Sequence, residues 1–343
     1  MTQTAELTAS DAQANDLFGC SVAISGNAIV VGASAATVNG NPNQGAAYVF
    51  VMPTDGWTNM TETAKLTASD GSADASFGSG SAINGNTVIV GAPFVVNGNV
   101  GPGTAYVFVM PSGGWTDMTQ TAELTASDGT DQDYFGYSVS VSGNVAIVGA
   151  RQVGQRPGVT YVFAEPGTGW TNATETAELT ASDGVVGDAF GTSVSLSGDT
   201  AVVGAQYHGA DHGAGAVYVF VKPPNGWANM TQTAELTVSG GKPTCFGTSV
   251  SISGEVILGG AECAHESEGA AFVFVEPDGG WQNTSKYKLR LSISFSYQGD
   301  LFGGSVAISG TTGIIGAPYA PTSPPCGLHG CQLGPGEAFV FVK

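Results

Sequence analysis

The chain has 343 residues and a formal net charge of −19, from 9 basic and 28 acidic side chains. So acidic a chain repels phosphate backbones and anionic lipid, which argues against nucleic acid as a partner, and no apolar run approaches the roughly 18 residues of a membrane span. Apolar residues make up 42% and the 52 glycines follow no Gly-X-Y period, which excludes global disorder and collagen.

The first element alternates, with Ala5, Leu7 and Ala9 on one side and Glu6 and Thr8 on the other. That pattern predicts a half-exposed outer strand, here strand D. Phe18-Gly19 opens strand A, which ends at the tight-turn signal Ser25-Gly26-Asn27. Strand B follows (Ile29, Val30, Val31), closing on Gly32-Ala33, and after a variable loop comes strand C (Tyr48, Val49, Phe50). Both are apolar on both faces, so both faces are expected to be covered. A turn with Trp57 leads into the next strand D. The unit then recurs, with Phe-Gly at Phe18, Phe77, Phe135, Phe190, Phe246 and Phe302, spaced 55–59 residues apart. No segment has a helical period of useful length.

Six four-stranded antiparallel units predict an all-β fold, a six-bladed β-propeller forming one domain over residues 1–343. The last element is a strand C, "GEAFVFVK", and the first is a strand D; Met1–Leu7 repeats as Met230–Leu236. Residues 2–9 are therefore expected to pair beside residues 337–342, complete the sixth blade and close the ring.

The Phe-Gly opening, the Gly-Ala or Gly-Ala-Pro end of strand B (Gly91-Ala92-Pro93, Gly316-Ala317-Pro318) and the period resemble the FG-GAP repeat of integrin-α-type propellers. Many members of that family carry an Asp-rich calcium loop between strands A and B. Here the position is a short turn such as Ser197-Gly198-Asp199. One Asp does not supply the six to eight oxygens calcium takes, so calcium is not expected there, and no other cofactor is implied.

Strand alternation puts D–A and B–C loops at one end of each blade, and A–B turns and C–D loops at the other. The B–C loops are the natural binding surface, since loops on a rigid scaffold carry function. They hold all four histidines: His208 and His212 in the fourth repeat, His265 in the fifth and His329 in the sixth. With Asp211, these are the ligand-face candidates, and His208, Asp211 and His212 are weak candidate metal ligands. Against this stands the reading of exposed, unconstrained polar loops. The D–A loops carry Asp16, Asp133, Asp188 and Asp300, each two residues before a Phe. They could gather a cation, but the stronger expectation is that they accept backbone N–H bonds within tight turns. At the opposite end Trp57, Trp115, Trp170, Trp227 and Trp281 recur once per C–D loop, expected to pack on neighbouring blades rather than to stack on sugars. Beside them lie four N-glycosylation sequons, at Asn59, Asn172, Asn229 and Asn283, with Asp117 at the matching place in the second unit.

Of five cysteines, Cys326 and Cys331 share one loop, Cys245 and Cys263 share a repeat and an end, and Cys20 is left over, expected buried and inert. Two bridges, Cys326–Cys331 and Cys245–Cys263, are the candidates; zinc binding by Cys326, His329 and Cys331 lacks a fourth ligand. Lys286, Lys288 and Arg290 alternate along one D strand, as on a guarded edge. No apolar signal segment follows Met1, yet the loops look extracellular, so a secreted or cell-surface protein, mature or excised, is expected.

Three functions are compatible with these residues. The first is a non-enzymatic extracellular binding or adhesion module recognising a protein or glycan through its loops. The second is a structural protein assembling with copies of itself into a filament, coat or larger complex. The third is a polysaccharide-active enzyme, for which Tyr207 beside His208 is the best pair; no Ser-His-Asp spacing is present. The first is the leading expectation, with no nucleic-acid partner and no direct membrane insertion.

Overall fold

A computed structural model describes residues 3–96, 99–152, 156–209, 213–239, 244–293, 299–320 and 336–342. The fold is all-β, a six-bladed β-propeller, with one four-residue helix, Ala264–Ser267, in the fifth B–C loop. By internal packing the chain divides into two units, residues 1–154 with 161–177, and 155–160 with 178–343.

In the first unit, the first sheet runs, from inside out, Phe18–Ser25, Ala28–Ala33, Ala46–Val51 and Ala64–Thr67, and is extended by Met118–Thr119. The second runs Gly80–Asn84, Thr87–Ala92, Thr104–Val109 and Ala122–Thr125, extended by Ala173–Thr174. The A–B hairpin of the third repeat, Phe135–Ser142 with Val145–Ala150, follows the same register. In the second unit the fourth sheet runs Phe190–Ser197, Thr200–Ala205, Ala216–Val221 and Ala234–Leu236. The fifth runs Phe246–Ser253, Val256–Ala261, Ala270–Val275 and Leu289–Leu291, and the sixth Ser305–Ser309, Thr312–Ala317 and Glu337–Val342.

The Phe-Gly motif explains itself in this frame. Each Phe lies against two aromatics of its own strand C: Phe77 is 5.5 Å from Tyr106 and 5.9 Å from Phe108, and Phe190 is 5.4 Å from Tyr218 and 6.1 Å from Phe220. Such edge and tilted pairs add to plain burial. The Gly after it takes a positive φ (95° at Gly78, 91° at Gly136), bulging strand A so that its carbonyl points at the preceding blade. There it meets the Gly that closes strand B. A Cβ on Gly91 would lie 1.8 Å from the Gly136 carbonyl oxygen, and one on Gly204 2.0 Å from that of Gly247. The two glycines of the motif are thus the two sides of one backbone contact. The strand-A Ser seals it, since Ser21 Oγ donates to the Gly78 carbonyl at 2.7 Å and Ser193 Oγ to that of Gly247 at 2.8 Å.

The N-terminal strand departs from expectation. Leu7–Thr8 pairs in parallel with Met60–Thr61, as Leu66–Thr67 does with Met118–Thr119. Pairing of residues 2–9 with 337–342 is absent from the described residues, where the sixth sheet has three strands. The parallel register of a D strand on the following repeat is satisfied by itself, without a strand C on its other side. Val22 is 68% and Ile24 64% exposed, against 8% and 6% for Val250 and Ile252 at the same repeat positions, and Val340 and Val342 are exposed as well.

Candidate functional site

Three of the four connections are nearly constant. A–B turns are always two residues, such as Gly26-Asn27 between paired Ser25 and Ala28, and C–D connections hold twelve or thirteen. D–A loops run nine residues from strand D to Phe in the first five repeats and ten in the sixth. Only the B–C connection varies freely, from eight residues in the third and fifth repeats to nineteen in the sixth.

At that end the first four repeats share a latch. The strand-C Tyr hydroxyl donates to an Asp of the preceding D–A loop: Tyr48 to Asp11 at 2.8 Å, Tyr106 to Asp70 at 3.0 Å, Tyr161 to Asp128 at 2.8 Å and Tyr218 to Asp183 at 3.1 Å. Burial and the adjacent carboxylates push the phenols of Tyr48, Tyr106 and Tyr218 well above their ordinary range, so they stay neutral donors. Opposite the Tyr, strand D presents Lys65, Glu123 or Glu235. In the first repeat Lys65 forms an ion pair with Asp11. Burial works to raise the Asp11 pKa, but the Lys65 and Tyr48 hydrogen bonds and the lysine charge hold it below the usual carboxylate value.

The fourth repeat departs from the others here. His208 occupies a backbone position that carries Ala36, Ala264 and Ala320 in the first, fifth and sixth repeats, each 2% exposed. Its turn is theirs: the N–H of residues 36, 208 and 320 donates to the last Ala of strand B at 3.1–3.2 Å. The imidazole is therefore an addition to a frame that needs only a methyl group. His208 lies edge-on to Tyr218, ring centroids 5.8 Å apart, and is 17% exposed. Its Nδ1 is 2.9 Å from Asp188 Oδ2, and its Nε2 is 3.6 Å from Asp183 Oδ2 and 3.8 Å from Glu235 Oε1. Burial and the Asp183 charge raise the Glu235 pKa, partly offset by His208. Asp188 is 4% exposed and also accepts the Val185 N–H at 2.8 Å. Among the described residues no lysine or arginine pairs with any of these three carboxylates.

Of the other sequence candidates, His265 lies exposed on the short helix. Asp211, His212, His329, Cys326 and Cys331 fall outside the described residues. Cys245 and Cys263 are bridged, Cα atoms 5.3 Å apart, tying the fifth repeat's D–A loop to its B–C loop. Cys20 is exposed rather than buried, and its thiol lies 3.3 Å from the Gly78 carbonyl. Tyr207, paired with His208 in sequence, is 40% exposed while His208 turns inward. The D–A aspartates accept turn N–H groups as expected, Asp16 from Gln13 at 2.7 Å and Asp133 from Thr130 at 2.6 Å. Trp115, Trp170, Trp227 and Trp281 are 6–9% exposed and pack into the sheets.

The sequon asparagines have a structural part that sequence reasoning missed. Each is exposed, and its Oδ1 accepts the N–H of the residue at the latch position of the neighbouring strand D: Asn59 from Glu6 at 2.8 Å, and Asn172 from Glu123, Asn229 from Glu178 and Asn283 from Glu235, each at 2.9 Å. Asp117 does the same for Lys65 at 2.8 Å. Its presence among the asparagines was the one sequence signal that an acceptor oxygen is what the position requires.

No curated protein matches the chain. Among solved structures, Sqt1 from Chaetomium thermophilum is similar over 88% of this chain and 67% of its own, with 16% identity and a TM-score of 0.50, a likeness of fold alone. The Dos1 propeller aligns over 84% of this chain and 61% of its own, with 14% identity and a TM-score of 0.47. The FG-GAP repeat model matches residues 1–50, 60–108, 118–163 and 173–220, more than half of the sequence. The repeats it covers carry the glycine contact and aromatic trio described above, and the chain belongs to the FG-GAP repeat family.

Proposed function

We propose that the protein is a non-enzymatic extracellular binding or adhesion module that recognises a protein or glycan through its B–C loops. One observation carries this reading: a frame held constant at three of its four connections, with length and chemistry diverging only at the fourth. A rigid scaffold with one variable loop set is the usual arrangement for recognition. Immobilised protein screened against glycan and extracellular-protein arrays tests it. Binding should vanish when the 206–215 and 262–269 loops are replaced by the 151–158 loop, and persist when C–D loop residues are changed. Binding indifferent to both replacements would end the reading.

A second reading, assembly with copies of itself, is favoured by the exposed apolar side chains Val22, Ile24, Val340 and Val342. Sedimentation velocity separates the two, since assembly requires a mass that rises with concentration and falls back in a Val22→Ser/Ile24→Ser variant.

A further inference from the structure

We propose that Asp183, His208 and Glu235 bind a divalent first-row transition-metal ion, with zinc the best-fitting member. Among the described residues these are the one group of three such side chains whose ligand atoms all lie within 4.8 Å of one another. Tetrahedral zinc with bonds of about 2.1 Å sets its ligand atoms about 3.4 Å apart. The His208 Nε2 distances to Asp183 and Glu235, 3.6 and 3.8 Å, are close to that spacing before any ion draws them in.

The surrounding contacts are those of a supported centre. A metal-ligating imidazole commonly gives its other nitrogen to a carboxylate, which fixes ring orientation and tautomer. Asp188, 4% exposed, holds His208 Nδ1 at 2.9 Å and leaves Nε2 directed at the two ligand oxygens. Tyr218 holds Asp183 through Oδ1, and Oδ2 is the atom nearer the imidazole. Two carboxylates and a neutral imidazole carry two negative charges, which a divalent ion balances.

The repeats supply an internal comparison. In the first, the same Tyr–Asp latch meets a cation belonging to the chain, Lys65. In the second, Glu123 faces Tyr106 beside Asp70 with no histidine, and in the fourth Glu235 takes the same place while a histidine enters where the first, fifth and sixth repeats have alanine. The histidine is what the fourth repeat adds to a pair of carboxylates. Imidazole with carboxylate suits zinc rather than calcium or magnesium, which take oxygen alone. Three protein ligands leave a tetrahedral ion one position for water, and Asp183, 43% exposed, lies on the solvent side. The site is unlike the A–B calcium loop of the family in place and in ligand type, and it does not depend on the recognition reading.

The test is calorimetric titration of Zn²⁺ into the chelator-washed full-length protein, with thermal unfolding as a second readout. One equivalent should bind and raise the melting temperature. His208→Ala restores the residue of three other repeats, so it should fold, melt somewhat lower without zinc for loss of the Asp188 bond, gain no melting temperature on adding zinc, and bind about a hundredfold more weakly or not at all. Glu235→Gln, isosteric, is the second ligand variant. Asp188→Asn should weaken binding about 10–100-fold, as loss of an outer-shell partner does. His265→Ala should change nothing. Absence of one-equivalent binding, or binding that survives both His208→Ala and Glu235→Gln, overturns the assignment and leaves His208 as a hydrogen-bond partner of Asp188.

Discussion

The residues that do most here are polar side chains bridging one repeat to the next. Asn229 Oδ1 accepts the Glu178 N–H at an exposed site, a bond worth about 1 kcal/mol. In protein made without glycosylation, Asn229→Ala should lower the unfolding free energy by about that amount. Asn229→Asp, which copies Asp117, should leave it unchanged within about 0.3 kcal/mol in denaturant titration. Both variants also remove the sequon, so intact mass of protein from glycosylating cells separates any sugar from the hydrogen bond. The Lys65–Asp11 pair makes a different prediction. Asp11, with its folded pKa depressed, contributes stability that is present above its unfolded pKa and lost as pH falls through the folded value. With Asp11 nearly half exposed, solvent screening limits the pair to about 0.5 kcal/mol. Lys65→Met should therefore be less stable by about that much at pH 7, with the gap closing below about pH 4 in pH-dependent melting.

At the scale of the strand, the family motif reduces to two backbones in contact. Gly91 and Gly136 approach so closely that no side chain fits between them. Gly91→Ala forces the strands apart and should cost about 3 kcal/mol or more, measured by chemical denaturation. Gly113→Ala, in a C–D turn with open space around the added methyl, should shift stability by less than about 0.5 kcal/mol. Equal effects at the two positions would mean that the close approach is not what the glycine serves. The strands themselves were readable from residue chemistry. Apolar runs such as Ala46–Val51 are buried almost throughout, and Ala64–Thr67 buries Ala64 and Leu66 while Lys65 and Thr67 stay half-exposed. The four-residue helix Ala264–Ser267 was not, because four residues are too short for any period to register.

For the whole molecule, apolar side chains at equivalent repeat positions differ sharply in exposure. Val22 and Ile24 point away from their own repeat's neighbour and are exposed, whereas Val250 and Ile252 are buried among Phe246, Ile257 and Trp281. In dilute protein, Val22→Ser/Ile24→Ser should be nearly neutral, within about 0.5 kcal/mol. Val250→Ser/Ile252→Ser should cost about 4 kcal/mol or more, since each buries an apolar side chain worth roughly 2 kcal/mol. A large cost at Val22 and Ile24 would show that something covers that face in solution.

By itself the sequence determined the repeat, its strand order, the all-β propeller class and the family, because each rests on local patterning copied six times. It also placed Cys245 near Cys263 and the aspartates in tight turns, where a short stretch of chain carries the whole interaction. Tertiary structure alone decided the rest. Asp183 and Asp188 come from a D–A loop, His208 from a B–C loop and Glu235 from a strand D, and only sheet register brings them around one imidazole. The sequence singled out His208 but joined it to its chain neighbours Asp211 and His212, since spacing along the chain carries no information about partners 20 or more residues away. The pairing of Leu7–Thr8 with Met60–Thr61 is of the same kind: a D strand has two edges, and which of them is filled depends on what lies beside it in space.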